Sequence, residues 1–323
     1  MDVGELVKHL KTQQKNRVDI VSETWHAIKD HRDVLIKLDD SDSYRLTDHA
    51  HDQISRICDI PKRYYTRMLA RNRSLLCKNI NAWNSKRLMF RIINGTIIAV
   101  LSDQYRIIDN HDVLEQTIKT IKKNHTESRI HRCDITDTRM YIKIIKPYMF
   151  SIMGNVAMPG IIIQNSEIGS GVLRVDPLIV DTERGNYMIG RQTSYKMHKG
   201  RRIDIGTVTP EPEIPVNKMI DDAFGTKALN TWLTAIRRDS EKPILKPLET
   251  ITNIATEHKL TDRQKTTIFN IFIENGERMR WCLANAISMA SKEQEDVDEM
   301  IRFEYIAGMV ASEPNTFIQT KLT

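Results

Sequence analysis

The chain has 323 residues, 40% of them hydrophobic and 28% charged, which is the balance of a folded globular protein and not of a disordered one. Its longest apolar runs, such as residues 97–101, fall far short of the roughly 20 residues that cross a bilayer, so no membrane partner is expected. The net charge of +6 favours acidic partners, and the four scattered cysteines, Cys58, Cys77, Cys133 and Cys282, form no CxxC pair, which argues against a disulfide framework and a zinc ribbon.

Residues 4–16, with Val7 and Leu10, have the pattern of an amphipathic helix and no signal-peptide core, so a cytoplasmic protein is expected. Residues 1–31 are assigned to this N-terminal helical unit, ahead of an α+β core domain over 32–206. Residues 34–38 and 44–46 suggest a short hairpin. Thr47 is placed to cap a helix that runs to Ile57, and Pro61 sits well in the first turn of the next, where its missing N–H is not needed. That helix carries Tyr64, Tyr65, Met68 and Leu69, and residues 75–83 continue as helix.

The centre of the chain is residues 87–123. Two apolar runs, 88–93 and 96–101, flank Asn94-Gly95, the strongest short hairpin signal because both turn residues must accept positive φ. A polar corner over 102–106 follows, and Asp109 or Asn110 can cap a helix whose Val113, Leu114, Ile118 and Ile121 share one face. This helix is expected to pack on the hairpin's apolar face. Residues 128–133 and 139–145 read as two strands, 158–164 and 172–180 as another pair, and 187–196 as an extension of the same sheet. The order predicts an α+β fold with an antiparallel sheet and flanking helices, and the resemblance given below implies a β-β-β-α core. Residues 207–216, TVTPEPEIPV, read as a linker to a helical C-terminal region over 217–323, with helices at 219–236, 248–256, 262–290 and 297–311 and a loose tail from 314. Trp281, Leu283 and Ile287 stand at helical spacing, with burial inside the same subunit the expected role of Trp281.

Several blocks carry a resemblance: IPKRYY at 60–65, LSDQYRIIDNHDVLE at 101–115, CDITDTRMY at 133–141, IQNSEIG at 163–169 and WCLANAISMA at 281–290. In this order they resemble the signature blocks of a phage- and plasmid-encoded family catalogued as domain of unknown function nine hundred and thirty-two, whose name carries no activity. A second resemblance, at fold level, is to phage single-strand annealing proteins and the Rad-fifty-two family, where a hairpin precedes a core helix much as it does around Tyr105 to Asn110. It implies a protein of phage or mobile-element recombination that anneals single-stranded DNA in a basic groove, needs no catalytic residue or cofactor, and repeats its site through a homo-oligomeric ring or filament. A phage exonuclease or a host single-strand-binding protein is the further partner it implies.

The charge distribution supplies the residues for such a groove. Residues 61–91 hold nine lysines and arginines and no Asp or Glu, residues 196–202 are a second basic cluster, and 292–304 is acidic. Lys and Arg neutralise phosphates and Tyr can stack on bases. The candidate nucleic-acid-binding residues are Lys62, Arg63, Tyr65, Arg67, Arg91, Tyr105, Arg106, Lys143, Arg174, Lys196, His198, Lys199, Arg201 and Arg202. Against this stands the plain alternative that Tyr64 or Tyr65 is core and the charges only solvate a surface.

Other chemistry is weaker. His49 and His51 are two apart and do not share a helical face, so a metal pair is not expected there, and Asp109-Asn110-His111-Asp112 reads as a helix start. Gly169-Ser170-Gly171 lacks the GK[ST] ending of a phosphate loop, and no GxSxG elbow is present. Asn165-Ser166-Glu167 either contacts a ligand or bonds to backbone in a tight turn; the turn is the reading adopted. Two other functions stay open: a regulatory or defence-related binding protein of a mobile element, and a magnesium nuclease using Asp103, Asp109 or Glu167.

Overall fold

Two sheets, where the sequence suggested one, carry the α+β fold. A computed structural model describes residues 1–38, 42–83, 86–105, 107–190, 195–197 and 216–312, with the side chains of 195–197 and 226–228 left out. The first sheet contains β1 (Arg17–Ser22), β2 (Trp25–Lys29), β3 (Val34–Leu38), β4 (Ser43–Leu46), β5 (Leu88–Ile93) and β6 (Thr96–Ser102), in the order β1-β5-β6-β4-β3-β2. The β5–β6 hairpin turns at Asn94 and Gly95, both with positive φ (52° and 73°), as the sequence required. Only β4 and β6 run parallel, because three helices separate β4 from the hairpin.

Those helices are α2 (Asp48–Ile57), α3 (Lys62–Arg71) and α4 (Arg73–Asn81). The Thr47 hydroxyl accepts the Ala50 N–H and caps α2. Ile54, Tyr65, Met68, Leu76 and Ile80 bury one face of the sheet, against Trp25, Phe90, Ile97 and Val100. Trp25 and Phe90 meet edge to face at 5.8 Å. Residues 17–29, assigned from sequence to a helical unit, are therefore strands; only α1 (Val3–Lys15) is helical there.

The second sheet is formed by β7 (Arg129–Ile135), β8 (Met140–Ile145), β9 (Phe150–Ile152), β10 (Asn155–Asn165), β11 (Leu173–Asp181), β12 (Tyr187–Ile189) and β13 (Tyr195–Met197). Its main path is β12-β11-β10-β8-β7, with β9 on β10 and β13 on β11. One face packs on α1, α5 (Asn110–Asn124) and α6 (Val216–Phe224). Val113, Leu114 and Ile121 of α5 thus meet Ile142, Ile144, Ile161 and Ile163, not the hairpin. The hairpin has no face left for α5: α2, α3 and α4 cover one side, while Ile168, Tyr105 and Ile107 cover Met89, Ala99 and Leu101 on the other.

The C-terminal helices are α7 (Thr226–Asp239), α8 (Pro247–Glu257), α9 (Asp262–Glu274), α10 (Arg280–Ala290) and α11 (Val297–Ser312). Gly225 splits the helix expected over 219–236, and residues 275–279 split the one expected over 262–290. They are not separate from the core domain. Trp232, Trp281, Phe303 and Ile306 pack with Ile179 and Met188 of the second sheet, and α11 lies so close to β12 that a Cβ on Gly308 would stand 2.1 Å from the Ile189 carbonyl oxygen. The expected linker, apart from Val216, and the expected tail lie outside the described residues. Among the described residues no helix is long and apolar enough to cross a membrane.

Trp281 is 1% exposed within this shared core. Trp281→Ala is expected to cost about 3–5 kcal/mol, read as a lower urea midpoint followed by near-UV signal from the whole chain. A change confined to a few tenths of a kcal/mol would show that α10 is not part of the core.

Candidate functional site

The helix pair α3–α4 presents the clearest surface for an acidic partner. Tyr65 and Met68 turn inward, and the Tyr65 hydroxyl lies 2.8 Å from His51 Nδ1. The other ring nitrogen of His51, Nε2, is 3.2 Å from Asp33. Burial lowers the His51 pKa, with Asp33 opposing it, so a neutral ring donates to Asp33 through Nε2 and accepts the tyrosine O–H at Nδ1. This chain of bonds ties α3 to α2 and to the β2–β3 turn. The outer face is left to Arg63, Tyr64, Arg67 and Arg71 on α3, and to Leu75, Lys78 and Trp83 on and just after α4. Tyr64 is 51% exposed and Trp83 50%, both unusual for large aromatics. Tyr64, Arg67 and Arg71 fall at three- and four-residue steps and form one stripe. Lys62 is paired with Asp52, whereas among the described residues Arg63, Arg67, Arg71 and Lys78 make no ion pair.

The other expected binding residues do not join this face. Tyr65 is 3% exposed and serves the core. Lys143, expected in the groove, is fully buried between β8 and α11, with Nζ 2.6 Å from Glu304 Oε1 and 3.7 Å from the centre of the Tyr187 ring. Lys143 and Glu304 are 0% and 1% exposed, so a phosphate cannot reach this side chain, and the same burial lowers the Lys143 pKa and raises that of Glu304. Arg174 is half-buried, in a two-point bond to Asp176 and over the Tyr305 ring. Tyr105 is half-buried beside the hairpin. Lys196 lies on β13 opposite Arg174. Arg106, His198, Lys199, Arg201 and Arg202 lie outside the described residues.

Arg91 is the largest correction, because it is a structural centre and not a surface contact. It stands on β5, 1% exposed. Its Nε and Nη2 bond both oxygens of Asp19 on β1, each at 2.9 Å. Its Nη1 lies 2.8 Å from Asp109 and 3.7 Å from Glu167 Oε2, and donates to the Glu167 carbonyl at 3.4 Å. Arg17 takes the other Asp109 oxygen at 2.8 Å. Burial works against the Arg91 charge, but the carboxylates outweigh it and raise the pKa.

Asp109 holds the N-cap position of α5, yet its carboxylate makes no cap bond. Glu167 supplies it from the turn after β10, its Oε2 accepting the Asn110 N–H at 3.1 Å. Asn165 Nδ2 donates to the Ile108 carbonyl and to Asn110 Oδ1. Within Asn165-Ser166-Glu167 only Ser166 makes the expected turn bond, from Ser170 N; the other two fasten α5 to the second sheet. Gly169 completes the turn at φ 81°, where a Cβ would stand 2.7 Å from Leu101 Cδ2. Asp109 and Glu167, considered as magnesium ligands, thus face a guanidinium at the point where their oxygens converge, while Asp103 sits 3.9 Å from Arg87. Among the described residues no three ligating side chains are grouped to hold a metal.

Beside this cluster opens a cleft of about 510 Å³ between the hairpin, α1 and the β7–β8 turn. Its lining includes His9, Gln13, Asn94, Asn110, residues 135–139 and Glu167. Three of the sequence blocks singled out above, 101–115, 133–141 and 163–169, contribute to its walls. Burial raises the Glu167 pKa, against Arg91 and the Asn110 N–H, which lower it. No family model, curated protein or solved structure matches the chain.

Two outcomes follow from these contacts. Arg91→Met leaves three carboxylates without their shared cation and is expected to lower stability by about 3–5 kcal/mol; Arg91→Lys should recover little, because an ammonium cannot reproduce the fork. An urea midpoint unchanged in Arg91→Met would show that the cluster does not hold the fold. His51 titrates below its ordinary 6.5 in the folded chain, so below that pH the unfolded chain binds the extra proton first and stability falls as pH drops. Wild type should therefore lose stability between about pH 7 and 5 more steeply than His51→Gln, as read from urea midpoints at each pH.

Proposed function

We propose that the chain binds single-stranded DNA through the outer face of α3 and α4. The observation that supports this most is the company of Arg63, Arg67, Arg71 and Lys78, which make no ion pair among the described residues, with two exposed rings, Tyr64 and Trp83. Cations without carboxylate partners are free to release counterions from phosphates. Rings exposed between them suit unpaired bases, which a duplex keeps stacked. The reading favours weak sequence dependence, since any base has a face on which a ring can stack.

The test separates the two parts. Arg63→Ala, Arg67→Ala and Arg71→Ala together should flatten the dependence of log affinity on log salt by about 2, at roughly 0.7 per phosphate contact. Tyr64→Ala and Trp83→Ala should each cost roughly 1–3 kcal/mol of binding and leave the salt slope unchanged. All five side chains are exposed, so melting curves should match wild type. Unchanged affinity of the folded triple variant for a labelled oligonucleotide would remove the face from the site. Strand annealing is the finer part of the proposal and asks that this face repeat along a strand in a ring or filament. Faster pairing of complementary strands together with larger particles in light scattering would support it, whereas a monomer that binds strands without pairing them would reduce the protein to a binding module.

A further inference from the structure

We propose that the cleft between the two sheets is a binding site for a small organic cation, an amine or guanidinium compound, whose charged head is received by Glu167 and Gln13. The volume of about 510 Å³ lies within the roughly 300–1,000 Å³ of small-molecule sites. Ile93, Ile98, Ile135 and Ile168 line it with apolar surface that fits an alkyl or planar body. The polar groups decide the head. Gln13 Oε1 is buried and accepts no hydrogen bond, an arrangement that is costly until a donor arrives. Glu167 is 9% exposed; its Oε2 serves Asn110 and Arg91, and among the described residues its Oε1 makes no hydrogen bond. Both groups are acceptors, so the ligand must bring N–H or O–H donors.

Charge selects among donors. Asp19, Asp109 and Glu167 face Arg91 and Arg17, which leaves one negative charge in excess, and at the rim Arg139 is paired with Asp298 at 3.8 Å beside Asp137. An anion would meet repulsion there. Magnesium or calcium wants six or more oxygens, and the oxygens of Asp19 and Asp109 are already taken by guanidinium groups. An ammonium or guanidinium can donate to both oxygens and supplies the missing charge.

The site is separate from the proposed DNA face, since α3 and α4 lie across the first sheet from Ile98 and Ile168. Calorimetric titration of the full chain with n-butylguanidine and with putrescine tests it, using butyrate as the anionic control. Saturable binding of a cation and none of butyrate is expected. Glu167→Gln keeps an acceptor for the Asn110 N–H but loses the charge, and should weaken binding about ten-fold or more. Gln13→Leu lies on α1, away from Arg91, and should weaken binding while leaving the melting curve near that of wild type. Oligonucleotide affinity should be the same in both variants. No saturable heat with either cation, equal binding of butyrate, or wild-type affinity in both Glu167→Gln and Gln13→Leu would each overturn the proposal.

Discussion

Arg91 is the point on which the two sheets depend. A guanidinium taken out of water is tolerated only when its donors are matched in direction and charge. Here the match is assembled from distant parts of the chain: Asp19 from β1, Asp109 from the start of α5 and Glu167 from the turn after β10. Asp109 is also held by Arg17 and Glu167 by the Asn110 N–H, but the guanidinium could not be buried without these carboxylates. The desolvation cost makes this a specifying contact more than a stabilising one. It admits only the arrangement in which the hairpin, α5 and the 165–169 turn meet. Glu167 does double duty, since the carboxylate nearest Arg91 also closes the N-terminus of α5.

Much of the fold was legible because local rules and tertiary packing agree. Asn94-Gly95 made the hairpin, and Thr47 capped its helix. The failures have physical causes. Strands β1 and β2 hide because Arg17 to Lys29 mixes charge with apolar residues; only the alternation of Trp25 and Ala27, both buried, against exposed His26 betrays a strand. Helical periodicity runs straight across Gly225 and across residues 275–279, so the breaks were missed. The apolar stripe of α5 correctly said that one face is buried, but a stripe does not say against which sheet.

The site was harder to read because charge in a sequence carries no exposure. Arg91 and Lys143 were taken as surface cations, yet each sits in a strand whose six residues are all buried. A lone cation inside a continuous apolar strand demands a carboxylate partner, and exposed Asp19 and buried Glu304 answer it. Tyr64 and Tyr65 show the same lesson at one-residue resolution. Tyr65 shares the inward stripe with Met68 and Leu69, so its neighbour must point away.

The first sheet separates the two surfaces that matter, and α2 connects them. On its N-terminal side Thr47 lines the cleft, and His49 and Gln53 both donate to the Ile168 carbonyl beside Glu167. Gln53 also accepts the Val100 N–H of the hairpin at 2.7 Å. One residue pair further round the helix, His51 holds Tyr65 and hence α3. The polar residues of α2 are therefore spent on opposite neighbours, the cleft on one side and the basic helix on the other. A helix closed by bonds at both sides behaves as a spacer. It holds α3, with Tyr64, Arg67 and Arg71, on one side and the turn at Ile168 on the other.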